Sequence, residues 1–144
     1  EMFEAVGEKY WPVYFSSLKN LMKNGAKSTL QTITVADELF PQYRKRVDFI
    51  QKYIFPGGML PSKKALERQF LQVGLKKVNL KSFGYSYSKT LRLWHSSFNS
   101  VWEDIASAKF DDRFKRMWNF YLASCAAVFQ SKTGDVIQVT LKKS

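Results

Sequence analysis

Apolar residues recur along this chain with two different periods, and the switches between them mark its elements. From Tyr10 to Asn24 the stripe Tyr14, Leu18, Leu21 has helical spacing, with Pro12 in the first turn and Gly25 just past the end. A helix is predicted there, after a short lead-in from Glu1 to Gly7. Ala26 to Val35 changes to alternation, and its portion Leu30-Gln31-Thr32-Ile33-Thr34-Val35 is rich in β-branched residues, which predicts a strand. Asp37 to Phe40 connects this strand to a helix opened by Pro41, whose apolar face is Tyr43, Val47, Ile50 and Ile54. Arg44, Lys45, Arg46 and Lys52 lie mostly off that face.

That helix runs into Pro56-Gly57-Gly58, where proline pre-sets one turn residue and glycine accepts a positive φ, so the chain reverses. Met59 and Leu60 are then apolar residues in a loop. They read either as a corner packed on its own core or as the wall of an apolar ligand site. Ser62 is the expected N-cap of a short helix with Leu66, Phe70 and Val73 inward, ended by Gly74. Leu75 to Phe83 sets Val78 and Leu80 against Lys77, Asn79 and Lys81, the pattern of a half-covered strand near a sheet edge, and Gly84 stops it.

Two long amphipathic helices follow. Tyr87 to Ala106 carries Leu91, Trp94, Phe98, Val101, Trp102 and Ile105; a second helix, started by Asp111 or Asp112 and ended by Gly134, carries Phe114, Met117, Trp118, Tyr121, Cys125 and Val128. Asp135 to Leu141, with Ile137, Val139 and Leu141, makes the last strand. The order α, β, α, α, β, α, α, β belongs to a layered α/β domain without repeats. Three strands are few for so many helices, so a further part of the sheet is expected elsewhere.

Composition narrows this picture. The 144 residues fit one domain, 1–144, able to bury about two-thirds of its unfolded surface. Cys125, the one cysteine, excludes an internal disulfide and a multi-cysteine zinc site, and points to a reducing compartment. No apolar run approaches the roughly 18 residues of a membrane span, and no signal-peptide pattern opens the chain, so a cytoplasmic location is expected. Because the first residue is Glu1 rather than methionine, a piece of something longer is expected too. Lys and Arg number 23 against 12 Asp and Glu, a net charge of +11, which favours polyanions: nucleic acid or anionic phospholipid headgroups. The basic residues are scattered from Lys19, Lys23 and Lys27 to Lys142 and Lys143, so either several solvated faces or one basic surface accounts for them.

No Gly-x-Gly-x-x-Gly, phosphate-binding loop or zinc spacing appears, and the single histidine, His95, reads as a packing or surface residue. Glu4 stands out, since it lies in an apolar setting, Met2-Phe3-Glu4-Ala5-Val6-Gly7. On composition alone it is a helix-start residue.

The run from Glu1 to Gly7 with Tyr10-Trp11, the segment Leu30-Gln31-Thr32-Ile33, and Phe49 through Phe55-Pro56-Gly57-Gly58-Met59-Leu60-Pro61-Ser62 together resemble the cyclopropane-fatty-acyl-phospholipid synthase family. The family's members depend on S-adenosylmethionine and include the mycolic-acid methyltransferases. The resemblance continues through Tyr87, Thr90, Leu91, Trp94 and Phe98, then Arg116-Met117-Trp118, Phe120-Tyr121-Leu122 and Cys125, to Gln138-Val139. It implies an α/β, Rossmann-like methyltransferase fold of which this chain is the C-terminal half, with strands five, six and seven ordered 5-7-6 and the last antiparallel between the others. The edge of strand five, Thr29 to Val35, would then lie open, and self-association through it is expected.

The resemblance also implies a reaction: a methyl group passes from the sulfonium to a cis double bond of a phospholipid acyl chain, and the resulting cation loses a proton to close a ring. A bound bicarbonate is the implied base. By motif match Glu4 would hold it, Ile33 would offer its backbone and Tyr87 its hydroxyl, while Gln31 stands where the family has histidine. Phe55, Gly57, Gly58, Met59 and Leu60 would line the acyl pocket. The basic surplus would suit an anionic membrane surface, with the protein peripheral at its inner face. S-adenosylmethionine would be held mostly by the other half, so no cofactor-binding residue is assigned, no metal is expected, and this chain alone should be inactive. The rival expectations are a non-catalytic lipid-binding or interaction module, and a basic nucleic-acid binder that no groove-reading motif supports.

Overall fold

The structure, a computed structural model, describes residues 2–106 and 110–144. The chain divides into two compact units, residues 1–83 with 134–144, and residues 84–133.

The first unit is built on a three-stranded sheet of β1 (Lys27–Val35), β2 (Leu75–Ser82) and β3 (Gly134–Lys143), in the order β1-β3-β2. β3 runs antiparallel to both neighbours, which is the arrangement the resemblance implies. Around it stand α1 (Met2–Val6), a turn of 3-10 helix at Glu8–Tyr10, α2 (Trp11–Leu21), α3 (Phe40–Tyr43), α4 (Phe49–Tyr53) and α5 (Lys63–Val73). The two-residue period of β3 turns Ile137, Val139 and Leu141 onto a core of Phe3, Trp11, Phe15, Phe40, Leu66, Phe70 and Leu75. Phe3 stacks on Trp11 at 5.5 Å between centroids and Phe15 meets Phe70 edge-on at 5.1 Å. Each such side chain contributes about 1.5–3 kcal/mol by leaving water, enough to seat short elements that could not hold alone.

The local start and stop signals act as read. Pro12 and Pro41 sit in first helical turns, the Ser62 hydroxyl accepts from the Ala65 N–H at 3.2 Å, and Gly74 ends α5 in the left-handed region. The inward faces are less faithful. On α2 the buried residues are Trp11 and Phe15, with Tyr14 and Leu18 flanking, and Leu21 is 86% exposed, because the larger aromatic area turns the helix. The helix expected from Pro41 to Ile54 is two: Asp48 builds a capping box with Gln51, at 2.8 and 3.1 Å, and restarts the chain, leaving Val47 in solvent. On β2 the register slips between Lys77 and Asn79, so Val78 stands exposed in the bulge.

The second unit is a helical hairpin of α6 (Gly84–Ser100), the short α7 (Trp102–Ile105) and α8 (Asp112–Gln130). The helix predicted to run unbroken to Ala106 is interrupted at Val101, and Trp94 lies outward. Asp111 caps α8, its carboxylate accepting from the Phe114 N–H at 2.8 Å. The buried line of α8 is Leu122, Ala126 and Phe129 rather than the residues ending at Val128. The aromatics of the expected stripe stack along their own helix instead, Phe114 on Trp118 at 5.6 Å and Trp118 against Tyr121 at 5.0 Å. α8 stops at Gln130, and Gly134 already belongs to β3. Cys125 is half-buried.

Candidate functional site

Three of the segments singled out from sequence meet at Glu4. Phe3, almost fully buried against Trp11, pins the single turn of α1 and so orients the next residue. The Glu4 carboxylate reaches β1, where its Oε1 accepts from the Ile33 N–H at 2.8 Å and from the Thr32 hydroxyl at 2.9 Å. Its backbone carbonyl accepts from the Met59 N–H at 2.8 Å, which ties the loop after the Pro-Gly-Gly corner to the same residue. Burial pushes the carboxyl pKa upward, but the donors gathered round it, Ile33 and Thr32 among them, outweigh that and hold it below the ordinary glutamate value.

Glycine geometry and three hydrogen bonds shape the corner. Gly57 adopts φ of +80°, and a Cβ on Gly58 would stand 3.0 Å from the Phe55 carbonyl oxygen. The Gly58 N–H donates to that carbonyl at 2.9 Å, the Gln51 side chain donates to the Gly58 carbonyl at 2.9 Å, and the Leu60 N–H donates to the Tyr43 phenol at 3.2 Å. Met59 packs against the core of this unit, so the corner packs on its own interior, while Phe55 is 57% exposed.

The remaining candidates are placed differently. Gln31 lies two residues before Ile33 with its side chain on the exposed face, where Oε1 accepts from Gln138 Nε2 at 2.9 Å. Tyr87 belongs to α6 in the second unit, its ring 5.5 Å from that of Phe129. His95 lines a shallow groove between α6 and α8 with Leu91, Ala123 and Ala126. Two participants escaped sequence reading. Thr32 looked like one more alternating strand residue, and Tyr14 like one more helix-stripe residue. Burial raises the Tyr14 phenol pKa and the charge of Glu4 adds to it, which places Tyr14 within the electrostatic reach of the site. Among the described residues no cluster of His, Cys, Asp and Glu could hold a metal ion, and no helix is long and apolar enough to cross a membrane.

A sheet whose last strand inserts antiparallel between the two before it is the far edge of a methyltransferase-type α/β fold. Mycolic acid cyclopropane synthase CmaA1, solved with SAH and CTAB, matches it with a TM-score of 0.84 at 28% identity, over 98% of this chain and 52% of that one. MmaA2, a cyclopropane synthase from Mycobacterium tuberculosis, gives the same TM-score at 25% identity and the same coverage.

The chain belongs to the mycolic acid cyclopropane synthetase family, whose model matches residues 1–139. It is 42% identical over 142 residues to the tuberculostearic acid methyltransferase UfaA1 of Mycobacterium tuberculosis, covering 98% of this chain and 33% of the relative. To the cyclopropane-fatty-acyl-phospholipid synthase of Escherichia coli it is 32% identical over 147 residues, covering 99% of this chain and 36% of that enzyme. The chain thus spans about a third of the length of these curated relatives.

Proposed function

We propose that this chain is the acyl-side half of an S-adenosylmethionine-dependent enzyme that adds a one-carbon unit to the cis double bond of a phospholipid acyl chain. The family supports the chemistry class, the name of the Escherichia coli relative supports the phospholipid, and the convergence of α1, the β1 edge and the Met59 loop on Glu4 carries the reading. Glu4, held ionised, is the anionic group of the site, and Ile33 and Thr32 fix its position. In this reading Phe55, Gly57, Gly58 and Leu60 offer the apolar wall, and Met59 joins it to the core of the unit.

The residues of this chain do not fit S-adenosylmethionine by themselves. No Gly-x-Gly-x-x-Gly turn occurs in the sequence, and the Asp37 carboxylate that follows β1 is spent on the start of α5, where it accepts from the Lys64 N–H at 2.9 Å. Of the two backbone groups of Ile33 that the resemblance offers to bicarbonate, the N–H is donated to Glu4, which leaves the carbonyl. The fragment alone is therefore inactive in this reading, and peripheral association with the inner membrane surface and self-association through the β1 edge belong to the same proposal.

The test is mass spectrometry of phospholipid acyl chains from cells expressing the full-length gene, with the Glu4→Gln variant beside it. The expected result is a gain of one carbon per modified unsaturated chain, abolished in the variant. Unchanged acyl chains with the full-length gene would overturn the proposal and favour a non-catalytic lipid-binding module.

A further inference from the structure

The sheet has a second face, and its pairing register makes that face unusual. Lys27 of β1 lies opposite Lys142 of β3, and Lys142 lies opposite Lys76 of β2. Side chains directly opposite share a face, so three lysines form one row across three strands, with neighbouring strands about 5 Å apart. The next row is Thr29, Thr140 and Asn79, and the next is Gln31, Gln138 and Lys81. Eight of these nine residues are exposed, and Thr140 is half-buried. The middle of the face is knit by uncharged ladders: Thr29 Oγ1 and Thr140 Oγ1 are 3.0 Å apart, and Gln138 donates to Gln31 at 2.9 Å.

Four lysines and no carboxylate occupy the nine positions. Lys77, by contrast, points to the other face and pairs with Glu67. Among the described residues none of Lys27, Lys76, Lys81 and Lys142 has an ion pair. Like charges set directly opposite one another work against folding, so this row opposes the stability of the sheet that carries it. An external anionic partner removes that opposition.

We propose that this face is a docking surface for the anionic headgroups of a phospholipid bilayer. The inference rests on the acyl-phospholipid reading above and names the surface by which the protein would lie against its substrate's membrane. Rows of cations, hydroxyls and amides on one sheet face complement a surface of hydrated phosphates. The face offers single-stranded nucleic acid no stacking platform, because none of the nine residues is aromatic, and duplex DNA is separated from a bilayer by the test below. A second copy of the chain would bring lysine against lysine.

The experiment measures partitioning of this chain onto phosphatidylglycerol-containing vesicles, onto pure phosphatidylcholine vesicles and onto duplex DNA at two salt concentrations. The test variant is Lys27→Gln with Lys76→Gln and Lys142→Gln; the control carries the same charge change at Lys45, Lys89 and Lys132. A triple Lys→Arg variant on the face keeps the charge and shows whether a loss comes from misfolding. The expected result is salt-sensitive binding to the anionic vesicles, weakened about a hundredfold in the test variant and only slightly in the control. The arginine variant binds as the parent does. Equal loss in the test and control variants, no loss in either, or loss confined to DNA would overturn the docking face. Those outcomes leave the alkylation reading standing, because that reading is scored on acyl products of the full-length protein.

Discussion

The backbone N–H of Ile33 donates to the Glu4 carboxylate at 2.8 Å across 29 residues of chain, and the Thr32 hydroxyl joins it at 2.9 Å. Because folding lowers the Glu4 pKa, the unfolded chain binds its proton more readily than the folded one. The stabilising contribution is therefore whole above the ordinary glutamate pKa of about 4.3 and is lost as pH falls through the lower folded value. Glu4→Gln is expected to cost about 1–2 kcal/mol at neutral pH and progressively less as pH falls below the ordinary glutamate range. Urea unfolding of both proteins across that range checks it; a pH-independent difference would contradict the ionised-carboxylate assignment.

Thr32 is fully buried and β-branched, so Thr32→Val keeps strand preference and shape while removing one donor to Glu4. The variant should fold, lose about 1 kcal/mol, and raise the Glu4 pKa toward its ordinary value. Side-chain carboxyl NMR titration reads the shift directly. An unmoved titration would mean that the other donors around Glu4, Ile33 among them, set the carboxylate without Thr32.

The Pro-Gly-Gly corner makes a paired prediction. Gly57→Ala meets backbone strain at φ +80°, and Gly58→Ala meets the Phe55 carbonyl oxygen at 3.0 Å, so each should destabilise by about 1 kcal/mol or more. The two differ in remedy, since asparagine tolerates the left-handed region and should recover part of the loss at position 57 but none at 58. Thermal unfolding of the four variants decides it.

Ile33 and Val35 both spend their N–H groups away from β3, on Glu4 and on the Pro61 carbonyl, so the odd residues of β1 face its outer edge. The edge expected to be open from Thr29 to Val35 is thus closed at Ile33 and Val35, the latter also bridging Ser62, and the portion from Lys27 to Gln31 is left as the segment proposed to recruit a second copy when this chain is isolated. Solution scattering should show a dimer or larger species, and Thr29→Pro, which removes an outward donor, should give a monomer. A parent chain already monomeric at high concentration would refute the edge-pairing proposal.

Calorimetry of this chain with S-adenosylmethionine should show no micromolar binding, since the sequence has no Gly-x-Gly-x-x-Gly turn and Asp37 is committed to α5. Saturable binding in that range would place part of the donor site within these residues.

The sequence by itself determined whatever is local. Ser62 and Asp111 cap their helices, Gly74 stops α5, and the alternation of Ile137, Val139 and Leu141 marks the core strand, because each signal acts within one turn or one pleat. The resemblance of its motifs carried the family and the β1-β3-β2 order. Tertiary structure decided what depends on partners far along the chain. It chose Trp11 and Phe15 over Leu21 as the buried face of α2, split the helix before the corner at Asp48, and gave Glu4 to Ile33 and Thr32. It also aligned Lys27, Lys142 and Lys76 in one row. Periodicity states that a residue has a side to hide or show; only register and packing, summed over contacts from distant segments, settle what stands opposite it.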